Sequence, residues 1–397
     1  MNSSPTAKQI LNHLHGQRAE MVDMLKSFAR IESPSHVAET QKPIQSLLRD
    51  ALGNRGYRVR HIAGKQTGGH LLAVPNSRMS GQPIQLLLGH CDTVWPEGTI
   101  DKMPVDLQDG RLRGPGVYDM KGGLVQAIFA VRAITELGFD SAFAPTFFIN
   151  SDEEIGSHES FPHITRLARI ADRAYVMEPS LGTEGRLKTA RKGVGRFVIK
   201  VIGRAAHAGL SPEEGASAIL ELSHVVQELF ALNDLERGIT VNVGTIDGGM
   251  RPNVIAPEST AEVDVRVLTR ADADFIERAI HGLQPTTPDT RLEISGAIGR
   301  PPMERTDGNQ KLWRLAQEAA DELGIAIDEG TAGGGSDGNY TSQWTPTLDG
   351  LGAVGDGAHA LTEYVEVEQM PLRAALLAQM LLAPTVKEAA GPSGPEC

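Results

Sequence analysis

QLLLGHCDTVWPEGTIDKMPVDLQDGRLRGPGVYDMKGG, residues 85–123, opens on an apolar run and closes on a glycine pair. Leu86, Leu87 and Leu88 read as a buried strand that ends at Gly89. His90 and Asp92 follow directly, and after a Gly/Pro-rich loop Asp119 precedes Gly122-Gly123. Leu124, Ile128, Val131 and Ile134 then mark one face of a helix that stops at Gly138. Imidazole and carboxylate groups placed where a strand ends suit an oxygen- and nitrogen-ligated metal such as zinc. In open α/β sheets that carboxyl edge is where ligands bind.

Upstream, Ile10, Leu14, Met21, Leu25 and Phe28 fall at helical spacing over residues 8–31, and IESPS stops the helix. A second helical stretch, 43–55, leads to two short strand candidates, YRVRHI and HLLAVP. Downstream, Thr146–Ile149 is an apolar strand that empties into Asn150-Ser151-Asp152-Glu153-Glu154. After a polar helical stretch, Ala174–Met177 is another strand, ending at Glu178. Strands alternating with helices imply a mostly parallel sheet with helices on both faces. Three of its strands bring acidic or imidazole groups to the same end.

The pattern changes near Val194. RFVIKVIG (196–203), a helix over 213–232, ITVNVGTI (239–246), TAEVDVRV (260–267), a helix over 271–283 and RLEIS (291–295) follow in turn. The order β-α-β-β-α-β is ferredoxin-like. Residues 194–300 are therefore expected to be an inserted α+β domain. Residues 1–193 and 301–397 would form the discontinuous first domain. In the latter, 308–324 is an amphipathic helix, followed by TAGGGSDGNY (331–340) and GDGAHA (355–360). The tail after Pro384 reads as disordered.

A chain of 397 residues is long for one core, which agrees with two domains. With 40% hydrophobic and 22% charged residues, the composition is that of a globular protein. A net charge of −12 argues against nucleic acid or anionic membrane as partner. It also means that an anionic substrate must be held locally, by Arg or metal. Cys91 and Cys397, the only cysteines, make no disulfide framework, and Cys91 is expected to point away from its neighbours into packing. The N-terminus lacks the apolar core of a signal peptide, and no window approaches a membrane span, so the cytoplasm is the default expectation.

His90, Asp119, Glu154, Glu178 and a later His could hold two cations with one carboxylate between them. Asp119, alone in the loop between the two halves of the set, is the natural bridge. Such a pair can polarise a carbonyl and lower the pKa of a shared water toward about 7. Glu153, beside Glu154 in a turn, is then the general base. Any one of these acids alone would more often be a helix cap or solvated charge; together, at successive strand ends, they read as a site. His359, in a small-residue loop, is the best last ligand, and Asp92 could orient a ligand His through its second ring nitrogen. His207 in GRAAHAG is either a surface loop residue or a donor to the substrate's oxyanion. Two rivals fare worse. A phosphate cradle in RGPGVYDMKGG lacks Ser or Thr after Lys121. A scaffold keeping metal for structure alone would more often use Cys-rich ligands.

GHCDTV, GPGVYDMKGG, SDEEIGS, MEPS, GRAAHAG, GGGSD and GAH, in that order, resemble the zinc-dependent aminoacylase/carboxypeptidase family. Within it they resemble most the bacterial glutamate carboxypeptidases. The likeness runs from about residue 15 to 384. It implies two zinc ions per subunit, with cobalt or manganese as substitutes. One would take His90 and Glu178, the other Glu154 and His359, with Asp119 between them, Glu153 as base and Asp92 behind His90. It implies a cis Asp119–Met120 peptide, an inserted domain that acts as lid and homodimer interface, and a His207 that reaches the partner subunit's site. Asn253, Arg266, Arg300 and Gly334 match positions around the substrate, with Arg300 the preferred fork for a carboxylate. Glu178, where some family aminopeptidases carry Asp, leans toward carboxypeptidases and N-deacylases. Cys91, Trp95 and the missing leader depart from the pattern and leave the substrate open. The expected reaction is hydrolysis of an amide bond beside a free α-carboxylate, releasing a C-terminal amino acid, glutamate by preference. The second expectation is an N-acyl-amino-acid deacylase of the acetylornithine or succinyl-diaminopimelate kind.

Overall fold

A computed structural model describes residues 4–385 of the chain; most of the tail after Pro384, with Cys397, lies outside them. Among the described residues two compact units result: 4–189, 305–330 and 336–385 form the first, and residues 190–304 with 331–335 the second.

In the first unit, helices α1 (Pro5–Gly16), α2 (Arg18–Ala29) and α3 (Ala38–Gly53) precede strands β1 (Tyr57–Ile62), β2 (His70–Pro75) and β3 (Ile84–His90). Helix α4 (Gly122–Glu136), β4 (Ala144–Asn150), α5 (Phe161–Ile170) and β5 (Ala171–Val176) follow. With the two-residue strand Thr347–Leu348, the sheet runs β1-β2-β4-β3-β5 and then that strand. β3 lies parallel to both β4 and β5, while β1 and β2 form an antiparallel edge. Every residue of β3 is buried, as a strand covered on both faces requires. The register matches His90 with Asn150 and Leu88 with Val176, so the three parallel strands end level. That alignment brings the segments after them, 90–92, 151–154 and 177–178, to one edge.

The expected single helix over 8–31 is two helices. Gly16 is a poor helix former, and at Gln17 the backbone leaves the helix (φ −97°, ψ 3°) while its side chain bonds Glu136 at 2.9 Å. Helix α3 starts five residues before the expected Pro43 and carries that proline inside it. Two further elements had no clear periodic signal. One is the helix Gln369–Leu382, buried on nearly every side and therefore without an amphipathic stripe. The other is a small sheet of two- and three-residue strands that includes Arg111–Arg113 and Tyr364–Glu366.

The second unit contains β6 (Gly193–Ile202), α6 (Ala218–Ala231), β7 (Thr240–Gly248), β8 (Glu258–Val267), α7 (Arg270–His281) and β9 (Arg291–Arg300). Its strands are all antiparallel, in the order β7-β8-β6-β9, the ferredoxin-like arrangement. Phe197, Ile199 and Val201 alternate inward against Val263, Val265 and Val267, and with residues from α6 and α7 they form this unit's core. No helix among the described residues is long and apolar enough to cross a membrane.

Candidate metal centre

At the level ends of β3, β4 and β5 the expected ligands converge. His90 is 1% exposed; its Nε2 lies 3.3 Å from Asp119 Oδ1 and 3.6 Å from Glu178 Oε1. His359 Nε2 lies 3.4 Å from Asp119 Oδ2 and 3.2 Å from Glu154 Oε2. Asp119 thus turns one carboxylate oxygen toward each imidazole. Ligand-capable atoms of His90, Asp119 and Glu154 lie within 4.8 Å of one another, and so do those of His90, Glu153 and Glu178. The Asp119–Met120 peptide is cis. His359 holds a left-handed backbone (φ 60°), which costs a side-chain-bearing residue about 1–2 kcal/mol and is tolerated where position matters more.

The donor set is two imidazoles and several carboxylates, a hard-to-borderline group that suits divalent zinc, cobalt or manganese. Its electrostatics point the same way. Burial opposes charge on His90, yet the carboxylates of Asp119, Asp92 and Glu178 around its ring raise its pKa well above the usual imidazole range. Asp119 and Glu154 raise His359 to about 10. Burial, with Asp119 close by, pushes Glu154 up to about 7. A dense group of acids in a desolvated pocket draws in positive charge, and a divalent cation meets that demand.

Behind these groups lies a buried frame. Asp92, fully buried, meets His90 Nδ1 at 3.4 Å through Oδ1 and at 3.0 Å through its backbone carbonyl. Its carboxylate also accepts from Ser35 Oγ at 2.7 Å and from the backbone N–H groups of Glu153 and Glu154 at 3.3 and 3.2 Å. One acid thus ties the β3 end to the turn after β4. Gly123, at the start of α4, makes another close approach: a Cβ there would stand 1.9 Å from Met177 O, just before Glu178. Cys91 packs in the core, its thiol pushed up to about 12 by burial. Lys121 is buried too, with Nζ donating to Ile31 O at 2.8 Å, which removes it from any phosphate cradle.

The substrate-side candidates belong to the second unit. His207 is exposed, and its Nδ1 accepts from the backbone N–H groups of Gly209 and Leu210 at 3.2 and 3.1 Å. With Nδ1 occupied as an acceptor, Nε2 is the ring nitrogen left to donate. Asn253 lies beside it, its carbonyl accepting from Ala208 N at 3.1 Å. Arg266 and Arg300 both pair in register with Val194 on β6, one from each side, on the sheet face opposite the helices. Arg266 is already bidentate with Asp264, at 2.8 and 3.0 Å. Gly334 is exposed, and its carbonyl accepts from Arg191 at 3.1 Å.

The sequence reading passed over Glu363. Its carboxylate, 1% exposed, accepts from Tyr118 N and Asp119 N at 2.8 and 3.0 Å. It also accepts from Gly116 N and Trp95 Nε1 at 3.1 and 3.0 Å. An acid in a short loop, immediately before a three-residue strand, carries no periodic signal; its place four residues after His359 was the one available hint.

Residues 86–383 match the model of peptidase family M20/M25/M40, and the chain belongs to that family. It is a hydrolase acting on peptide or amide bonds. Among its relatives, carboxypeptidase G2 of Pseudomonas sp. (strain RS-16) is 27% identical over 92% of this chain and 89% of that protein. A succinyl-diaminopimelate desuccinylase of Dechloromonas aromatica is 26% identical over 75% of this chain and 83% of its own. The Bacillus subtilis YXEP protein, described as a dinuclear metal-binding peptidase of family M20, shares the fold. It superposes with a TM-score of 0.67 at 15% identity, over 93% of this chain and 98% of that one.

Proposed function

We propose that the chain is a two-zinc carboxypeptidase that releases a C-terminal amino acid, glutamate by preference, from an N-acyl or peptidyl conjugate. The observation that carries this reading is Asp119, with one carboxylate oxygen 3.3 Å from His90 and the other 3.4 Å from His359. His90 and Glu178 would hold one metal, Glu154 and His359 the second, and Asp119 both, with cobalt or manganese able to substitute. Bound there, the metals supply Lewis acidity and an acidified water. Glu153 takes the water's proton and returns it to the leaving amine. Asp92 keeps His90 turned to its ligand position. His207 donates to the developing oxyanion from the second unit of a partner subunit. Arg300 pairs with the substrate's free carboxylate, and Asn253, Arg266 and Gly334 line its approach.

The homodimer this requires is supported by an unpartnered edge. Among the described residues β7 ends the second unit's sheet; Ile219 of α6 and Ile246 of β7 line one groove there, and both are exposed, as are Leu220 and Met250. A second copy could continue the sheet and cover those side chains. The rival reading, an N-acyl-amino-acid deacylase, draws on the similarity to a desuccinylase. One experiment separates them. The zinc-loaded protein is offered pteroylglutamate, N-acyl-glutamates and C-terminal glutamyl peptides beside acetylornithine and succinyl-diaminopimelate. Glutamate release at the higher kcat/KM is expected. Turnover confined to the acetyl and succinyl compounds would replace the carboxypeptidase reading, and no turnover with metal bound would leave a scaffold.

A further inference from the structure

Glu363 has no part in the chemistry proposed above, yet its carboxylate reaches three of the segments that carry it. An ionised carboxylate offers about four lone-pair sites. Here all four are matched: Oε1 takes Tyr118 N and Asp119 N, and Oε2 takes Gly116 N and the Trp95 indole N–H, at 2.8–3.1 Å. Gly116 makes the convergence of backbone N–H groups possible. Its φ is +71°, and a Cβ there would meet Thr93 Cγ2 at 2.6 Å. The first segment, 116–119, ends in Asp119 itself. The second, 90–95, begins with His90. The third is Glu363's own: a turn closed by Ala360 N to Gly357 O at 2.8 Å and Glu363 N to Ala360 O at 2.9 Å places His359 inside it.

We propose that Glu363 is the positioning residue of the metal centre, the side chain that fixes Asp119 between His90 and His359 before metal arrives. This rests on the metal reading above. Carboxylates that orient ligands from behind are worth about 10–100-fold in metal affinity. The chemistry at this position asks for Glu in particular. Gln would turn an amide NH2 toward two N–H donors, and Asp is one methylene short of reaching all four.

The second unit offers a matched control. Glu221, fully buried, accepts from Thr286 N, Thr286 Oγ1 and Thr287 N, and none of these segments carries a proposed ligand. The full chain is stripped with chelator and titrated with cobalt, following uptake and the visible spectrum of the bound ion, beside thermal melts of the metal-free proteins. Glu221→Gln is expected to lower the melting temperature and leave cobalt affinity unchanged. Glu363→Gln is expected to lose at least about tenfold in affinity and to shift the cobalt spectrum. Wild-type affinity and spectrum in Glu363→Gln overturn the proposal, and so does an equal loss in both variants. Amide exchange of the unmutated chain decides the matter even if Glu363→Gln does not fold. Gly116, Tyr118 and Asp119 amides should be protected without metal; protection that appears only on loading would mean that the metal, not Glu363, holds the loop. A wild-type chain that takes up no cobalt sinks the metal reading beneath. One that loads normally beside an unimpaired Glu363→Gln sinks only this inference.

Discussion

The acids at the sheet edge and the substrate-side residues of the second unit are held in opposite ways. Asp92 and Glu363 are almost wholly buried and bonded to several backbone N–H groups, so the groups they support are fixed by the fold. His207 and Asn253 are exposed, the first held by backbone N–H groups of its own turn and the second bonded through its backbone carbonyl to Ala208 N, and Arg266 leans on a neighbour two residues away. Bond-breaking chemistry needs positions fixed to fractions of an ångström, because misplacement is expensive. Recognition tolerates, and uses, side chains that can adjust. The contrast predicts large losses of rate on every substrate from the first region and smaller, substrate-dependent losses from the second.

The test with the largest effect is Glu153→Ala. Glu153 is buried beside His90 and Glu178, yet the proposed mechanism uses it for proton transfer and not for holding metal. A general base contributes about 10²–10⁴-fold, and kcat should fall within or beyond that range while bound zinc, measured by atomic emission, stays at the wild-type ratio. Loss of one metal along with the rate would make Glu153 a ligand and redraw the centre.

The same contrast explains what the sequence disclosed. Leu86–Leu88, Phe147–Ile149 and Ala174–Val176 are apolar runs ending in His90, Asn150 and Met177-Glu178, so the edge on which chemistry gathers was legible from period and position. The β-α-β-β-α-β order of the second unit was legible for the same reason. The helix 369–382 was not, since burial on every side erases the stripe that marks a helix. Nor was Glu363, because its function lies in what it bonds across the chain, from Trp95 to Asp119, and no local pattern encodes that. His207 gave only half its meaning: the motif marked it, but the turn that fixes its ring proton on Nε2 depends on the Gly209 and Leu210 N–H groups.

His207→Ala is the next test in size. Removing one oxyanion donor costs about 10²–10³ in kcat, and metal content should not move. Because the proposed donor comes from the partner subunit, the two inactive variants should complement. In a mixed dimer of Glu153→Ala and His207→Ala, one site has an intact Glu153 and receives an intact His207. Partial recovery of activity on mixing and re-annealing the subunits is expected. A full-strength single variant would reduce His207 to a loop residue. Mixed subunits that sediment as dimers yet stay inactive would place the donor within its own chain.

The smallest effect is expected at the arginines, and there it depends on the substrate. Arg266 and Arg300 stand on either side of Val194, about two strand spacings apart, roughly 10 Å. Arg266 already spends its fork on Asp264, a half-exposed pair worth at most about 1 kcal/mol. On the proposed reading, in which Arg300 meets the substrate's carboxylate, Arg300→Ala should raise KM for substrates with a free α-carboxylate by about 10–100-fold, the worth of a charged hydrogen-bonded contact. The same change should leave C-terminal amides, poor substrates already, nearly untouched. Asp264→Asn serves as the counter-test, because it releases Arg266 without removing it. If Asp264→Asn lowers KM for the free acid and Arg300→Ala changes acid and amide alike, the carboxylate fork is Arg266, and the pairing seen with Asp264 is what a substrate displaces.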